Sequence, residues 1–118
     1  MKQAARRIKK GDVYYVNLDP TFGHEQKGTR PVLVIQNDIA NAMLSTVLVA
    51  PLTSNLKASG LPSTVTIKAG EAGLSEDSVI LLFQIRTLDK RRLGRRIGHL
   101  EAKMMVKVDA AIRLSFDV

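Results

Sequence analysis

At 118 residues the chain has about the length of one domain, and with no cysteine it has no disulfides, thiolate zinc sites or cysteine nucleophile. Aromatics make up 4% and hydrophobic residues 45%, so the core must be built from Val, Leu and Ile. Eighteen Lys and Arg against eleven Asp and Glu give a formal charge of +7, which favours a polyanionic partner because neutralising phosphates releases counterions, although solubility alone is served by the same excess.

Residues 1–10 carry Lys2, Arg6, Arg7, Lys9 and Lys10 without apolar periodicity, and read as a flexible basic leader ahead of a single domain over 11–118. Gly11 and Asp12 follow it where a secretory signal would have a long apolar stretch. The longest apolar runs, residues 31–35 and 79–83, are far too short to cross a bilayer. The expectation is a soluble, cytoplasmic protein that does not use a membrane.

Residues 13–18 are rich in β-formers and stop at Asp19 and Pro20, a turn signal. Residues 21–30, with two glycines and mixed charges, read as a loop. Residues 31–35 form a β-branched run opened by Pro31, hence a buried strand. Asn37 and Asp38 can cap a short helical turn through Met43. A third strand over 46–50 ends at Pro51, and residues 55–63 form a polar loop. Residues 64–67 alternate as a strand with one wet face, residues 70–75 turn the chain, and residues 79–83 give another apolar strand. Residues 89–93 read as a helical turn closed by Gly94. His99 is expected at the surface or as a cap, and from there Leu100, Met104, Val108, Ala111 and Ile112 recur at three- and four-residue steps, the mark of one amphipathic helix. Short strands and one late helix predict a mainly β fold, a small twisted antiparallel sheet or barrel with the helix packed beside it.

Three clusters can carry chemistry. In the first, His24, Glu25, Gln26 and Lys27 lie between Gly23 and Gly28, and Thr29 and Arg30 lead into a strand. An arginine fork grips two phosphate oxygens and stays charged, although a solvated hairpin loop has the same composition. In the second, Thr53 and Ser54 follow the third strand, where hydroxyls are commonly turn residues but also donate to phosphate. In the third, Gln84 and Arg86 follow an apolar strand abruptly; Arg86 and Asp89 stand three apart, so an ion pair between them is the competing reading. The two histidines and scattered carboxylates make no metal-ligand spacing, and no cofactor is expected.

Gly11 to Tyr14, Asp19-Pro20, Gly23 to Gln26, Gly28 to Asp38, Pro51 to Ser54, Asp77 to Val79 and Gln84 to Lys90, taken in order, resemble the MazF/PemK family of toxin–antitoxin mRNA interferases from about residue 10 to the end. The resemblance implies an SH3-like barrel of the CcdB/PemK type with a C-terminal helix, and a homodimer. It also implies metal-independent cleavage of single-stranded mRNA to a 2′,3′-cyclic phosphate and a 5′-hydroxyl, and neutralisation by a cognate acidic MazE-like antitoxin. By the same resemblance Arg30 and Thr53 are catalytic, with Glu25 and His24 as further catalytic candidates. Gln26, Lys27, Thr29, Ser54, Gln84 and Arg86 are expected to bind RNA. One branch of the family places an Arg-x-Asp pair just before the glutamine; here those positions hold Leu81 and Phe83, so that aspartate is not available as a base. A toxin of the same fold that poisons a topoisomerase and hydrolyses nothing is the alternative, and it needs neither Arg30 nor Thr53.

Overall fold

The computed structural model describes residues 7–118. In them β1 Asp12–Asn17 and β2 Thr29–Val34 lead to α1 Asp38–Met43, then β3 Thr46–Thr53, β4 Thr64–Ile67, β5 Ser78–Leu81, β6 Arg86–Asp89, β7 Leu93–His99 and α2 Ala102–Phe116. All neighbouring strands are antiparallel. The path runs β4-β5-β3-β2-β1-β7 with β6 added on β3. It does not return on itself, so the sheet is open where a closed barrel was expected. The mainly β fold with a C-terminal helix is as expected.

Both faces of the central strands are covered, which is why they read as nearly continuous apolar runs. Val13, Leu33, Ala50 and Leu52 join one core with Leu100, Val108 and Ala111 around α2. Their neighbours Tyr14, Val32, Val34 and Val49 join a second core with Leu88 and Leu93. The Asn37 side chain caps α1 by accepting from Ala40 N at 2.8 Å. Among the described residues no helix is long and apolar enough to cross a membrane.

Several expectations change. The third strand does not end at Pro51 but continues to Thr53. Pro51 pairs with Val32 on one side, and on the other it falls between the ladder to β6, which ends at Val49↔Arg86, and the ladder to β5, which begins at Leu52↔Ile80. Its missing N–H therefore interrupts neither. Residues 55–63 contain a 3-10 turn, Leu56–Gly60. The helical turn expected over 89–93 is a 3-10 turn at Lys90–Arg92, capped by the Asp89 side chain and set between β6 and β7, both of which the sequence reading missed. Gly94 closes no helix. It lies in β7, where a Cβ would come within 2.5 Å of the Tyr15 carbonyl oxygen.

Of the basic leader expected over 1–10, residues 1–6 lie outside the described residues, and the rest is tied to the domain. Ile8 is buried in the second core, Lys10 N donates to Asp38 at 2.7 Å and Lys10 Nζ meets Asp109 at 2.9 Å. His99 is exposed, as expected, and is no helix cap. It ends β7, with Nδ1 2.8 Å from Oδ1 of the buried Asp12, which Arg96 also approaches at 3.2 Å.

Candidate active site

The geometry begins with a parting of strands. The β2–β3 ladder pairs Val34↔Val49, Leu33↔Ala50 and Val32↔Pro51, and continued by two steps it would set Arg30 opposite Thr53. There β2 stays with β1 through Arg30↔Val16, while β3 leaves for β5 through Thr53↔Val79. A cleft of about 250 Å³ opens at the split, lined by Tyr15, Thr29, Arg30, Thr53, Ser54 and Glu76 among others. Two residues distant in sequence thus line one cleft from two strands.

Their polar atoms are already oriented. Arg30 Nε donates to the Lys27 carbonyl at 2.7 Å, which fixes the plane of the guanidinium and leaves its Nη donors for a ligand. Thr53 is 6% exposed, and its Oγ1 accepts from Asn55 N at 3.1 Å, leaving the hydroxyl proton to be given elsewhere.

A second cleft, of about 480 Å³, adjoins the first along β3, since Pro51 lines it while Leu52 and Thr53 line the other. It holds Glu25, Gln26, Phe83, Gln84 and Arg86. Gln84 fastens the loop over residues 18–28 from both ends of its amide: Oε1 accepts from Gln26 N at 2.9 Å and Nε2 donates to the His24 carbonyl at 3.2 Å. Arg86 Nη1 donates to the Leu18 carbonyl at 3.1 Å, and Arg92 Nη2 donates to the carbonyls of Asn17 at 2.7 Å and Asp19 at 3.0 Å. Glu25 Oε1 accepts from Phe22 N at 2.6 Å.

The candidates therefore divide. Arg30, Thr53, Thr29 and Ser54 share one cleft, and Glu25, Gln26, Gln84 and Arg86 share the other; His24 and Lys27 are exposed on the loop and line neither. The ion pair weighed between Arg86 and Asp89 does not form: Asp89 pairs with Arg91 at 3.0 Å, and the Arg91 side chain, then its backbone N–H, hold the Asp89 carboxyl below the ordinary carboxylate value. The sequence reading passed over Glu76, Tyr15 and Arg92. Tyr15 carried a signal, since in β1 it faces away from the buried Tyr14 and Val16; the other two carried none. Among the described residues no three His, Asp or Glu side chains are grouped so as to hold a metal ion.

The family described as the PemK-like, MazF-like toxin of type II toxin–antitoxin systems matches residues 9–116. The chain belongs to the PemK/MazF toxin family. It is 52% identical over 108 residues to endoribonuclease EndoA of Bacillus subtilis (strain 168), covering 92% of this chain and 93% of that one. It is 45% identical over 108 residues to endoribonuclease MazF of Staphylococcus epidermidis, covering 92% and 90%. The crystal structure of MazF from Deinococcus radiodurans has the same fold, with a TM-score of 0.81 at 28% identity over 97% of this chain and 100% of that one. A MazE–MazF complex from the same organism matches with a TM-score of 0.74 at 28% identity over 97% and 99%. Membership in the PemK/MazF family sets aside the topoisomerase-poisoning alternative.

Proposed function

We propose that this PemK/MazF toxin is a cytoplasmic endoribonuclease that cleaves single-stranded mRNA at the Arg30–Thr53 cleft, using the RNA's own 2′-hydroxyl as the nucleophile. The observation that carries the reading is the cleft that Arg30 and Thr53 both line where β2 and β3 part, together with two endoribonuclease relatives at 52% and 45% identity. Attack by the 2′-oxygen on the adjacent phosphorus forms a crowded phosphorane, whose added charge is stabilised by donors already in place. The Arg30 fork and the Thr53 hydroxyl are such donors. As the bond to the 5′-oxygen breaks, that oxygen takes up a proton, and the ends are a 2′,3′-cyclic phosphate and a 5′-hydroxyl. Glu25 and His24, on the loop fastened by Gln84, are proposed for proton transfer. Gln26, Lys27, Thr29, Ser54 and Arg86 then line the path of the strand, and Gln84 acts on RNA mainly by holding the loop.

Such chemistry calls for no metal or cofactor, because nucleophile and leaving group both belong to the RNA. The test is digestion of a long RNA in EDTA. Cyclic phosphate and 5′-hydroxyl ends are expected; 5′-phosphate ends, or activity lost fully in the chelator, overturn the reading. The Deinococcus complex holds MazF with MazE, and we extend that to this chain as a homodimer silenced by a cognate acidic antitoxin. The +7 charge attracts an acidic peptide as it attracts RNA, and both complexes should weaken as salt rises.

A further inference from the structure

We propose that Phe83 is the base-stacking platform of this site, gripping one nucleobase of the single-stranded RNA beside the scissile phosphate; the proposal rests on the endoribonuclease reading above. Phe83 ends the apolar run over residues 79–83, directly before Gln84. Its residue is 45% exposed in a chain with only three Phe, two Tyr and no Trp. Leu82, directly before it, is fully buried, so the turn presents one apolar side chain inward and the next outward.

That turn is held on every side. Gln84 N donates to the Leu81 carbonyl at 3.1 Å and Leu82 N to the Ser63 carbonyl at 2.9 Å. Ser115 Oγ donates to the Leu82 carbonyl at 2.7 Å, and the Gln84 side chain is fixed to the loop. A ring on a fixed backbone loses little freedom on binding, which suits an aromatic used for recognition.

Phe83 lines the polar cleft with Gln26 and Arg86. Pro51 lines the same cleft, two residues of extended strand from Thr53, a span of about 7 Å. A base belonging to a nucleotide next to the reacting phosphate can reach across that span. Single strands are bound by aromatic faces beside cations, because every base has a π-face that an unpaired strand exposes. Phe83 also lines an apolar groove with Leu61, Pro62, Leu114 and Phe116, which offers an apolar protein segment the same ring. The polar neighbours, the proximity to Thr53 and the basic chain favour RNA.

The cut motif is first mapped on a long RNA digested by wild-type protein, and a short oligomer of that motif is then made with 2′-O-methyl groups so that it cannot react. Phe83→Leu keeps an apolar side chain without a π-face, and Phe83→Tyr keeps the face. Because the chain has no Trp, Phe83→Trp introduces a single indole that reports stacking. Expected are about a 10-fold rise in KM for Phe83→Leu with kcat little changed, the scale of one lost base–aromatic stack, near-wild-type values for Phe83→Tyr, and saturable quenching of Phe83→Trp by the methylated oligomer. An unchanged KM for Phe83→Leu, or no quenching at saturating oligomer, overturns the proposal. So does a Phe83→Leu defect confined to self-association or antitoxin binding. Wild-type protein that leaves RNA intact overturns the endoribonuclease reading itself, an outcome distinct from wild-type cleavage that is indifferent to residue 83.

Discussion

The two adjoining clefts are built in different ways. Arg30 and Thr53 sit at the ends of ladders, each paired through the backbone to a neighbouring strand. Glu25 and Gln26 sit on a loop held by side chains: Gln84, Arg86 and Arg92 reach from distant parts of the chain to the carbonyls of His24, Leu18 and Asp19 and to Gln26 N. Groups that stabilise a short-lived phosphorane need fixed positions, whereas groups that choose among sequences sit on segments that vary at small cost. Under the proposed reading, charge stabilisation falls to the strand junction, while the fastened loop carries sequence selection together with the proton transfer proposed for Glu25 and His24.

The largest effect should come from the junction. Arg30→Ala is expected to cost about 100-fold or more in cleavage rate, the scale of removing one preorganised donor, and Thr53→Ala should also be damaging. Acting on one phosphorane, the two should lose less together than the product of the single losses in single-turnover assays. Strict multiplicativity would place them at separate steps and break the comparison. Behind the same cleft, Gly94→Ala would press a methyl against the Tyr15 carbonyl at 2.5 Å. A loss of about 2 kcal/mol in unfolding free energy, read from urea titration, is expected for such overpacking against backbone.

Gln84→Ala probes the loop instead. It removes two hydrogen bonds of about 1 kcal/mol each, so a rise in KM of up to about 30-fold, with broadened cut-site choice and kcat little changed, is expected. A fall in kcat on the scale of Arg30→Ala would show that the fastening by Gln84 also serves the proton transfer proposed for Glu25 and His24, and not RNA selection alone.

The same division explains what could be read from the sequence. β1 to β5 and α2 announce themselves through β-branched runs or a 3.6-residue period, since each buries a patterned set of side chains. β6 buries only Leu88, and β7 fully buries only Leu93 and contains two glycines and two arginines. Gly94 and Gly98 in β7 answer to the backbones of Tyr15 and Ala72, a requirement that no local pattern shows. Arg30 and Thr53 were named through family resemblance; their place in one cleft depends on the ladder register and on where β3 changes partner. Arg86 looked like the partner of Asp89, yet its acceptor is the Leu18 carbonyl 68 residues away. Loop fastenings of this kind are written in tertiary structure alone.

The smallest expected effect lies away from both clefts and sharpens the comparison as its control. Asp38 Oδ1 accepts from Lys10 N at 2.7 Å and from Asn41 Nδ2 at 3.1 Å. The Lys10 N–H first, then the Asn41 amide, hold its carboxyl below the ordinary value of 3.8, with Lys9 and His99 adding to the same direction. A carboxylate whose folded pKa is lowered binds its proton more weakly in the folded state than in the unfolded one. It therefore contributes stability above the ordinary value and loses that contribution as pH falls through the lower, folded value. Asp38→Asn keeps an acceptor for Lys10 and removes the charge, so the variant isolates this electrostatic part. Because the group faces solvent, the loss at pH 7 should stay under about 1 kcal/mol. Urea midpoints of variant and wild type should differ slightly at pH 7 and converge as pH falls below the ordinary carboxylate range, while kcat and KM for RNA stay at wild-type values. A gap that widens on acidification would reverse the sign assigned to Asp38. A cleavage defect at unchanged stability would mean that the N-terminal segment communicates with the strand junction, and that the division between the two clefts is incomplete.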